Sequence, residues 1–274
     1  MLFLYIGLGI VLVIVILLFL LSFLSFPRFN RKKEMEPFLI RKCAHRGLFN
    51  NSSNLVENSI PAILEAAKKG YSIEFDVRIT KDDQIVIFHD NNLKRAANVD
   101  KKIADLTYLE IKEIKIFNSS CSIPLLLELL KLVPPNTPLI IEIKVEDRIE
   151  DTCRLVNEIL SKCNNLFCIE SFSPYVLKWF KKNNKKILRG QLASYSMHQK
   201  ERTLRSRIFS SYLLNNYLGR PDFIAYHFNS KKPFTLKYLR KLKTPCIGWV
   251  IKKQEDIDND KFYDNHIFDS FSPK

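Results

Sequence analysis

The chain opens on an unbroken apolar run. Met1 to Pro27 contains no charged residue, and from Leu2 to Phe26 nearly every position is Leu, Ile, Val or Phe. About 20 apolar residues cross the hydrocarbon core of a bilayer, so this stretch predicts a transmembrane helix. A cleaved signal peptide has a basic start, a shorter apolar run and a small-x-small cleavage site. Here the start is uncharged and the run ends in Ser25-Phe26-Pro27, so a retained anchor over residues 1–27 is expected. Arg28, Arg31, Lys32 and Lys33 follow it; by the positive-inside rule the remainder faces the cytoplasm, at the cell membrane. Residues 28–37 read as a short basic-then-acidic tether.

From Phe38 the pattern changes to short β-branched runs alternating with helical periodicity. Strands are expected at Leu39–His45, Tyr71–Thr80, Ile85–His89, Pro138–Lys144, Leu166–Ser171, Ile187–Leu192, Asp222–His227, Pro245–Ile251 and His266–Asp269. Between them, Asn58-Ser59-x-Pro61 opens a helix closed by Gly70, Ser173-Pro174 opens another at Tyr175–Lys182, and Asp151 is positioned to cap Thr152–Lys162. Strands alternating with helices, and no Gly-x-Gly-x-x-Gly turn, place residues 38–274 in the α/β class as a (β/α)8 TIM-type barrel rather than a dinucleotide fold. One connection breaks the rhythm. Too few residues separate Val77 from Phe88 for a parallel crossover, so Lys81-Asp82-Asp83-Gln84 predicts a hairpin at the barrel rim that returns His89 opposite Asp76.

Composition narrows the class. The 274 residues are 46% hydrophobic and 26% charged, which excludes a disordered, collagen-like or coiled-coil chain. The six cysteines form no Cys-x-x-Cys pair and no zinc spacing, and read as reduced core residues. Lys and Arg total 43 against 29 Asp and Glu, a formal charge of +14. The basic runs Lys181–Lys186 and Lys231–Lys243 lack the aromatic interleaving of single-strand binders. With an anchor adjacent, an anionic lipid surface is the expected partner, and nucleic acid is not.

Candidate chemistry gathers where strands end, the rim that carries active residues in parallel barrels. The first strand ends in His45-Arg46, the second carries Glu74 and Asp76 on one face, the hairpin returns His89-Asp90, and the fourth carries Glu142 and Lys144. Barrel strands are covered on both faces, so inward-pointing Glu74, Asp76 and Glu142 are costly unless a cation or basic group pairs with them. Three hard carboxylate oxygens without a thiolate favour a divalent cation, Mg²⁺ or Ca²⁺, over zinc. Imidazoles suit an acid/base pair, and Arg46 and Lys144 complement an anion. Together these describe phosphoester cleavage.

The chain resembles the glycerophosphodiester phosphodiesterases, members of the phospholipase-C-like phosphodiesterase barrels. The matching residues are Ala44-His45-Arg46-Gly47, Glu57-Asn58-Ser59-Ile60-x-Ala62, Glu74-x-Asp76-Val77, Thr80-Lys81-Asp82, Val86-x-x-His89-Asp90, Leu106-Thr107, Pro124-x-Leu126-x-Glu128 and Glu142-x-Lys144, with weaker echoes at Ser171-Phe172, Gly248-Trp249-Val250 and Phe268-Asp269. The resemblance implies a divalent cation held by Glu74, Asp76 and Glu142, and His45 and His89 as general acid and base. It also implies Arg46 and Lys144 on the phosphate, Glu57 beside the metal and the His-Arg turn, and Phe172 and Trp249 as apolar walls of the substrate pocket. The implied reaction hydrolyses glycerophosphodiesters to glycerol 3-phosphate and an alcohol. The glycerol 2-hydroxyl serves as internal nucleophile, favoured by its effective molarity, before water opens the cyclic phosphate. A lysophospholipase D of the same barrel, acting on lysophospholipid, and a silent membrane-tethered phosphodiester binder are the alternatives.

Two departures stand out: Trp249-Val250-Ile251-Lys252 replaces the usual Asn by Lys at the mouth, and the Asn- and Ser-rich Leu48–Val56 loop replaces a shorter approach to Glu57. Residues 194–220 read as either an amphipathic lid near lipid or an ordinary packed barrel connection.

Overall fold

The computed structural model describes residues 1–199 and 203–273. Leu2–Ser25 is one continuous helix, and among the described residues it alone is long and apolar enough to cross a bilayer. The strands that follow are β1 (Cys43–His45), β2 (Ser72–Ile79), β3 (Ile85–Ile87), β4 (Leu139–Ile143), β5 (Phe167–Ser171), β6 (Arg189–Ala193), β7 (Phe223–His227), β8 (Cys246–Ile251) and β9 (Asn265–Phe268). Apart from β3, each pairs in parallel with its neighbours, and β1 bonds to both β2 and β9. The sheet is therefore closed as an eight-stranded parallel barrel, and β3 lies antiparallel on β2 as the rim hairpin.

The period-2 pattern of the strands sorts side chains between two environments. Ile73, Phe75, Val77, Ile141, Ile143 and Ile169 face outward and pack with Ile63, Leu129, Val156 and Val176 of the surrounding helices. The inward set divides by height. Cys43, Ile140, Cys168, Phe223 and Ile247 make an apolar floor, whereas Glu74, Asp76, Glu142 and Glu170, all buried, line the upper interior. This separation keeps the charge at the open end, where residues from several loops reach it.

Four expectations are corrected. The first strand starts at Cys43 rather than Leu39, and the 28–37 tether is helical from Lys32: the helix Lys32–Ile40 runs through Pro37 and inserts Met35 and Phe38, both fully buried, into the barrel floor. Apolar residues three apart lie on one helix face, and burying that pair outweighs the donor that Pro37 lacks. In the hairpin, Val77 pairs with Ile87 and the Phe88 amide donates to the Asp76 carbonyl, so Phe88 rather than His89 lies opposite Asp76. The turn closes Thr80 onto Gln84 with Asp83 left-handed, which centres it on Asp82, half a residue short of the expected point. Asp151 does not cap its helix: Ile149–Leu160 has Arg148 at the cap position, and Asp151 in the first turn pairs with the Arg148 guanidinium at 3.2 Å.

In the 194–220 segment, Leu213 and Leu214 are buried and Leu213 packs in the β6–β7 flank, so this part is an ordinary barrel connection. Residues 200–202 of that expectation lie outside the described residues.

Candidate active site

The turn after β1 builds one side of the site. Arg46 and Gly47 are both left-handed, with φ of 56° and 85°. A Cβ on Gly47 would stand 2.7 Å from the Ala62 backbone carbon, so glycine lets the turn seat on the Ile60–Lys68 helix. Seated there, the Arg46 amide donates to Glu74 Oε2 at 3.2 Å, and the Arg46 carbonyl accepts from the Asn58 amide. Asn58 is itself left-handed at φ 59°. Its side chain clamps Asp76 twice: Nδ2 donates to Asp76 Oδ2 at 2.8 Å, and Oδ1 accepts from the Asp76 amide at 3.2 Å.

Register brings the acids together. His45 pairs with Glu74 across β1–β2, and Asp76 pairs with Glu142 across β2–β4. Glu74, Asp76 and Glu142 offer carboxylate oxygens that all lie within 4.8 Å of one another. Lys144, just past β4, places Nζ 3.0 Å from Asp76 Oδ1 and 2.7 Å from Glu142 Oε2, and Arg46 Nε is 3.3 Å from Asp76 Oδ2. The electrostatics follow from this placement. Burial raises Glu74 well above the ordinary carboxylate range, reinforced by repulsion from Asp76, Glu142 and Glu170. Burial likewise lifts Glu142 to about 7 against the pull of Lys144. Asp76 is buried too, yet Lys144, Arg46 and Asn58 hold it far below its usual value. A set of three converging carboxylates, two of them destabilised by desolvation and mutual repulsion, fits a hard divalent cation.

Both imidazoles face this cluster. His45 Nδ1 is 3.5 Å from Asp269 Oδ2, and its Nε2 is 4.0 Å from Glu74 Oε2. His89 Nδ1 lies 2.6 Å from Asp90 Oδ1, and its backbone carbonyl accepts from Arg78 Nε at 2.8 Å. Burial lowers the pKa of both rings; for His89 the Asp76 charge opposes this and Lys144 reinforces it, so His89 senses the cluster although it is one position off the expected register. The Asp90 carboxylate on His89 Nδ1 fixes that ring's tautomer and leaves its Nε2 free to exchange a proton, whereas His45 Nδ1 is buried beside Asp269 without a hydrogen bond.

Glu57 sits beside the His-Arg turn. It accepts from Arg46 at 2.7 Å, from Arg95 at 2.6 and 3.0 Å, and from Asn51 at 2.9 Å. Burial alone would raise its pKa, but these donors outweigh it and hold the carboxyl below its ordinary value. A carboxyl depressed on folding contributes stability that is complete above its unfolded pKa of about 4.3 and disappears as pH falls through the folded value. Glu57→Gln is therefore expected to cost about 1–3 kcal/mol at neutral pH and to flatten the decline of Tm below about pH 4. Thermal melts from neutral to acid pH check this; an acid branch identical to that of the unsubstituted protein contradicts it.

Phe172 follows β5, is 45% exposed, and meets Trp249 of β8 edge-on at 5.5 Å. Lys252, the departure at the mouth, adds its charge to the environment of Asp269. All ten residues singled out from the sequence lie on the strand ends or loops of this one rim. Sequence reasoning did not single out Asn58, Asp90, Arg95, Glu170 and Asp269 as site residues. Glu170 pairs with Glu142 across β4–β5, and its Oε2 is buried without a hydrogen-bond partner. The inward-acid reasoning applied to Glu142 would have found it.

A closed parallel barrel with a carboxylate cluster able to hold a cation, and two imidazoles at its C-terminal rim, defines the class: a TIM-type enzyme scaffold with a candidate metal site. The model of the glycerophosphoryl diester phosphodiesterase family matches residues 45–262. The chain belongs to that family, a metal-dependent one. Among curated relatives, human lysophospholipase D GDPD1 is 34% identical over 154 residues, 52% of this chain and 47% of its own length. A glycerophosphodiester phosphodiesterase of Bacillus altitudinis is 34% identical over 113 residues, 39% of this chain and 45% of its own length. The chain thus spans about half the length of the curated relatives it matches. In three dimensions it is similar to an Oleispira antarctica phosphodiesterase solved with the product sn-glycerol-3-phosphate, with a TM-score of 0.68 at 21% identity over 85% of this chain and 94% of that one. A Parabacteroides distasonis glycerophosphodiester phosphodiesterase aligns with a TM-score of 0.64 at 24% identity over 83% of this chain and 92% of the other. These two show the fold.

Proposed function

We propose that this chain hydrolyses glycerophosphodiesters to glycerol 3-phosphate and an alcohol. The observation that carries this reading is the convergence of Glu74, Asp76 and Glu142 within 4.8 Å, flanked by two imidazoles, His89 hydrogen-bonded through Nδ1 to Asp90 and His45 with Nδ1 3.5 Å from Asp269. The three carboxylates would hold a divalent cation, Mg²⁺ or Ca²⁺, which supplies Lewis-acid polarisation of a phosphate oxygen. The chain's own residues do the rest. One imidazole Nε2 accepts the proton of the attacking hydroxyl, and the other donates to the departing alcohol. Arg46 and Lys144, now paired with the acids, supply positive charge against the phosphate as charge develops on its oxygens. Phe172 and Trp249 wall the pocket, and Glu57 with Arg95 braces Arg46.

We further propose that residues 1–27 remain attached as a membrane anchor carrying the barrel from about residue 32. Support comes from the way the root of the helix is built into the barrel. Asn216 Nδ2 donates to the Ser25 carbonyl at 2.7 Å, Arg220 donates to the carbonyls of Phe23 and Phe26 at 2.8 and 2.9 Å, and Phe26 stacks on Tyr238. Removing the segment strips the Ser25 carbonyl from the buried Asn216 amide. Arg28, Arg31, Lys185, Lys186 and Arg220 surround this root, where lysine and arginine favour an anionic, cytoplasmic leaflet.

The test is turnover of glycerophosphocholine by the full chain in detergent, followed as glycerol 3-phosphate release with Mg²⁺, with Ca²⁺ and with chelator. The reading expects release with at least one of the ions and its abolition by chelator. No release with either ion, from folded protein, overturns it.

A further inference from the structure

Glu170 is buried beside the acidic cluster without a part in the chemistry of its three neighbours. It lies near the C-terminal end of β5, in register with Glu142 of β4. Period-2 alternation turns it inward: Cys168 below it belongs to the barrel floor, and Ile169 packs outward on the helices. It is 1% exposed, and its Oε2 has no hydrogen-bond partner. Glu142 and Asp76 repel its carboxylate. Lys144 attracts it, but lies 2.7 Å from Glu142 and 3.0 Å from Asp76 and is engaged there. The β6 side offers no relief, because the register partner is Gly190, and the Phe223 ring fills the space that a Gly190 side chain would take. A carboxylate buried in this way is costly unless a cation reaches it. The charge count agrees. In the ionised site Glu74, Asp76 and Glu142 face two cations, Arg46 and Lys144, which leaves one negative charge; Glu170 makes it two, the balance of a divalent ion.

We propose that Glu170 is a fourth acid of the cation site, one that Ca²⁺ reaches and Mg²⁺ does not, so that it selects the larger ion. The proposal rests on the metal-dependent phosphodiesterase reading and deepens it by naming the ion and the residue that chooses it. Glu170 is not among the three residues whose oxygens lie within 4.8 Å of one another; it stands one strand further round the barrel. Ca²⁺ gathers about six to eight oxygens in a flexible shell, whereas Mg²⁺ takes a tight octahedron and keeps several waters. A carboxylate set back from the other three therefore adds to the shell of the larger ion and leaves that of the smaller one unchanged. It acts on which ion is held and not on the reacting atoms, so its signature is a ratio of affinities.

The experiment is calorimetric titration of the metal-free full chain in detergent with Ca²⁺ and with Mg²⁺, beside Glu170→Gln and Glu74→Gln. The unsubstituted chain is expected to bind Ca²⁺ more tightly than Mg²⁺. Glu170→Gln should weaken Ca²⁺ binding by about 10–100-fold and leave Mg²⁺ binding in place, while Glu74→Gln should weaken both. Crystals of the unsubstituted chain with Ca²⁺ need no variant: a Glu170 oxygen at about 2.3–2.6 Å from the ion is expected. Equal affinity for the two ions, or tighter Mg²⁺, overturns the proposal. So does a Glu170→Gln protein in which both affinities fall together or neither moves, or a crystal in which Glu170 stays off the ion. In each of those cases binding that is lost in Glu74→Gln keeps the three-acid site and the phosphodiesterase reading. No binding of either ion by the unsubstituted chain overturns the site, and Glu170's place in it, together.

Discussion

Replacing His45 or His89 by alanine is expected to lower kcat/KM for glycerophosphocholine by roughly 10²–10⁴-fold while leaving the fold intact. Each ring is partly exposed on the rim, with side-chain exposures of 16% for His45 and 32% for His89, so neither is a keystone of packing. What each substitution removes is a proton carrier beside a carboxylate, Asp269 at 3.5 Å for His45 and hydrogen-bonded Asp90 for His89. Burial lowers both pKa values, which favours the neutral ring that accepts a proton, and the ring that donates to the leaving alcohol must first take one up. Steady-state kinetics beside a thermal melt checks this. Near-normal turnover by both variants contradicts the acid/base assignment.

Glu74→Gln and Asp76→Asn are expected to separate activity from stability. Both should lower metal-dependent turnover by at least about 100-fold, since each removes one of three ionic ligands. Their effects on the metal-free protein should differ. Glu74 is buried among like charges that push its pKa up, so neutralising it relieves repulsion, and Tm should hold or rise in the presence of chelator. Asp76 is paired with Lys144 and Arg46 and clamped by Asn58. Removing its charge leaves two buried cations short of a partner, a loss of about 3–5 kcal/mol. Melts with chelator check the contrast; equal destabilisation by both variants contradicts it.

The acids were legible because period-2 alternation makes a strong statement about burial. In Ile73-Glu74-Phe75-Asp76-Val77 and Ile141-Glu142-Ile143-Lys144 the apolar face is continuous, so the charged face must be the interior of a barrel covered on both sides. The same logic applied to Cys168-Ile169-Glu170 and was missed. Other partners carry no local signal. Asp269 reaches His45 only because β9 closes onto β1, a pairing more than 200 residues apart in sequence, and Arg95 reaches Glu57 and Asp90 from a one-turn helix. The Lys32–Ile40 helix was hidden by Pro37 and by its basic start, and its burial depends on a floor assembled from later strands. The hairpin register depended on where a turn centred among four polar residues, a choice that Thr80 and Asp83 make through local hydrogen bonding and a left-handed φ.

Crystals of the full chain grown with Mn²⁺, examined by anomalous scattering at the manganese edge, test the central claim most directly. The account predicts one peak in contact with the carboxylates of Glu74, Asp76 and Glu142, with His45 and His89 on either side of it. A peak away from these three residues, or their carboxylates unaltered and free of metal at saturating Mn²⁺, would contradict it.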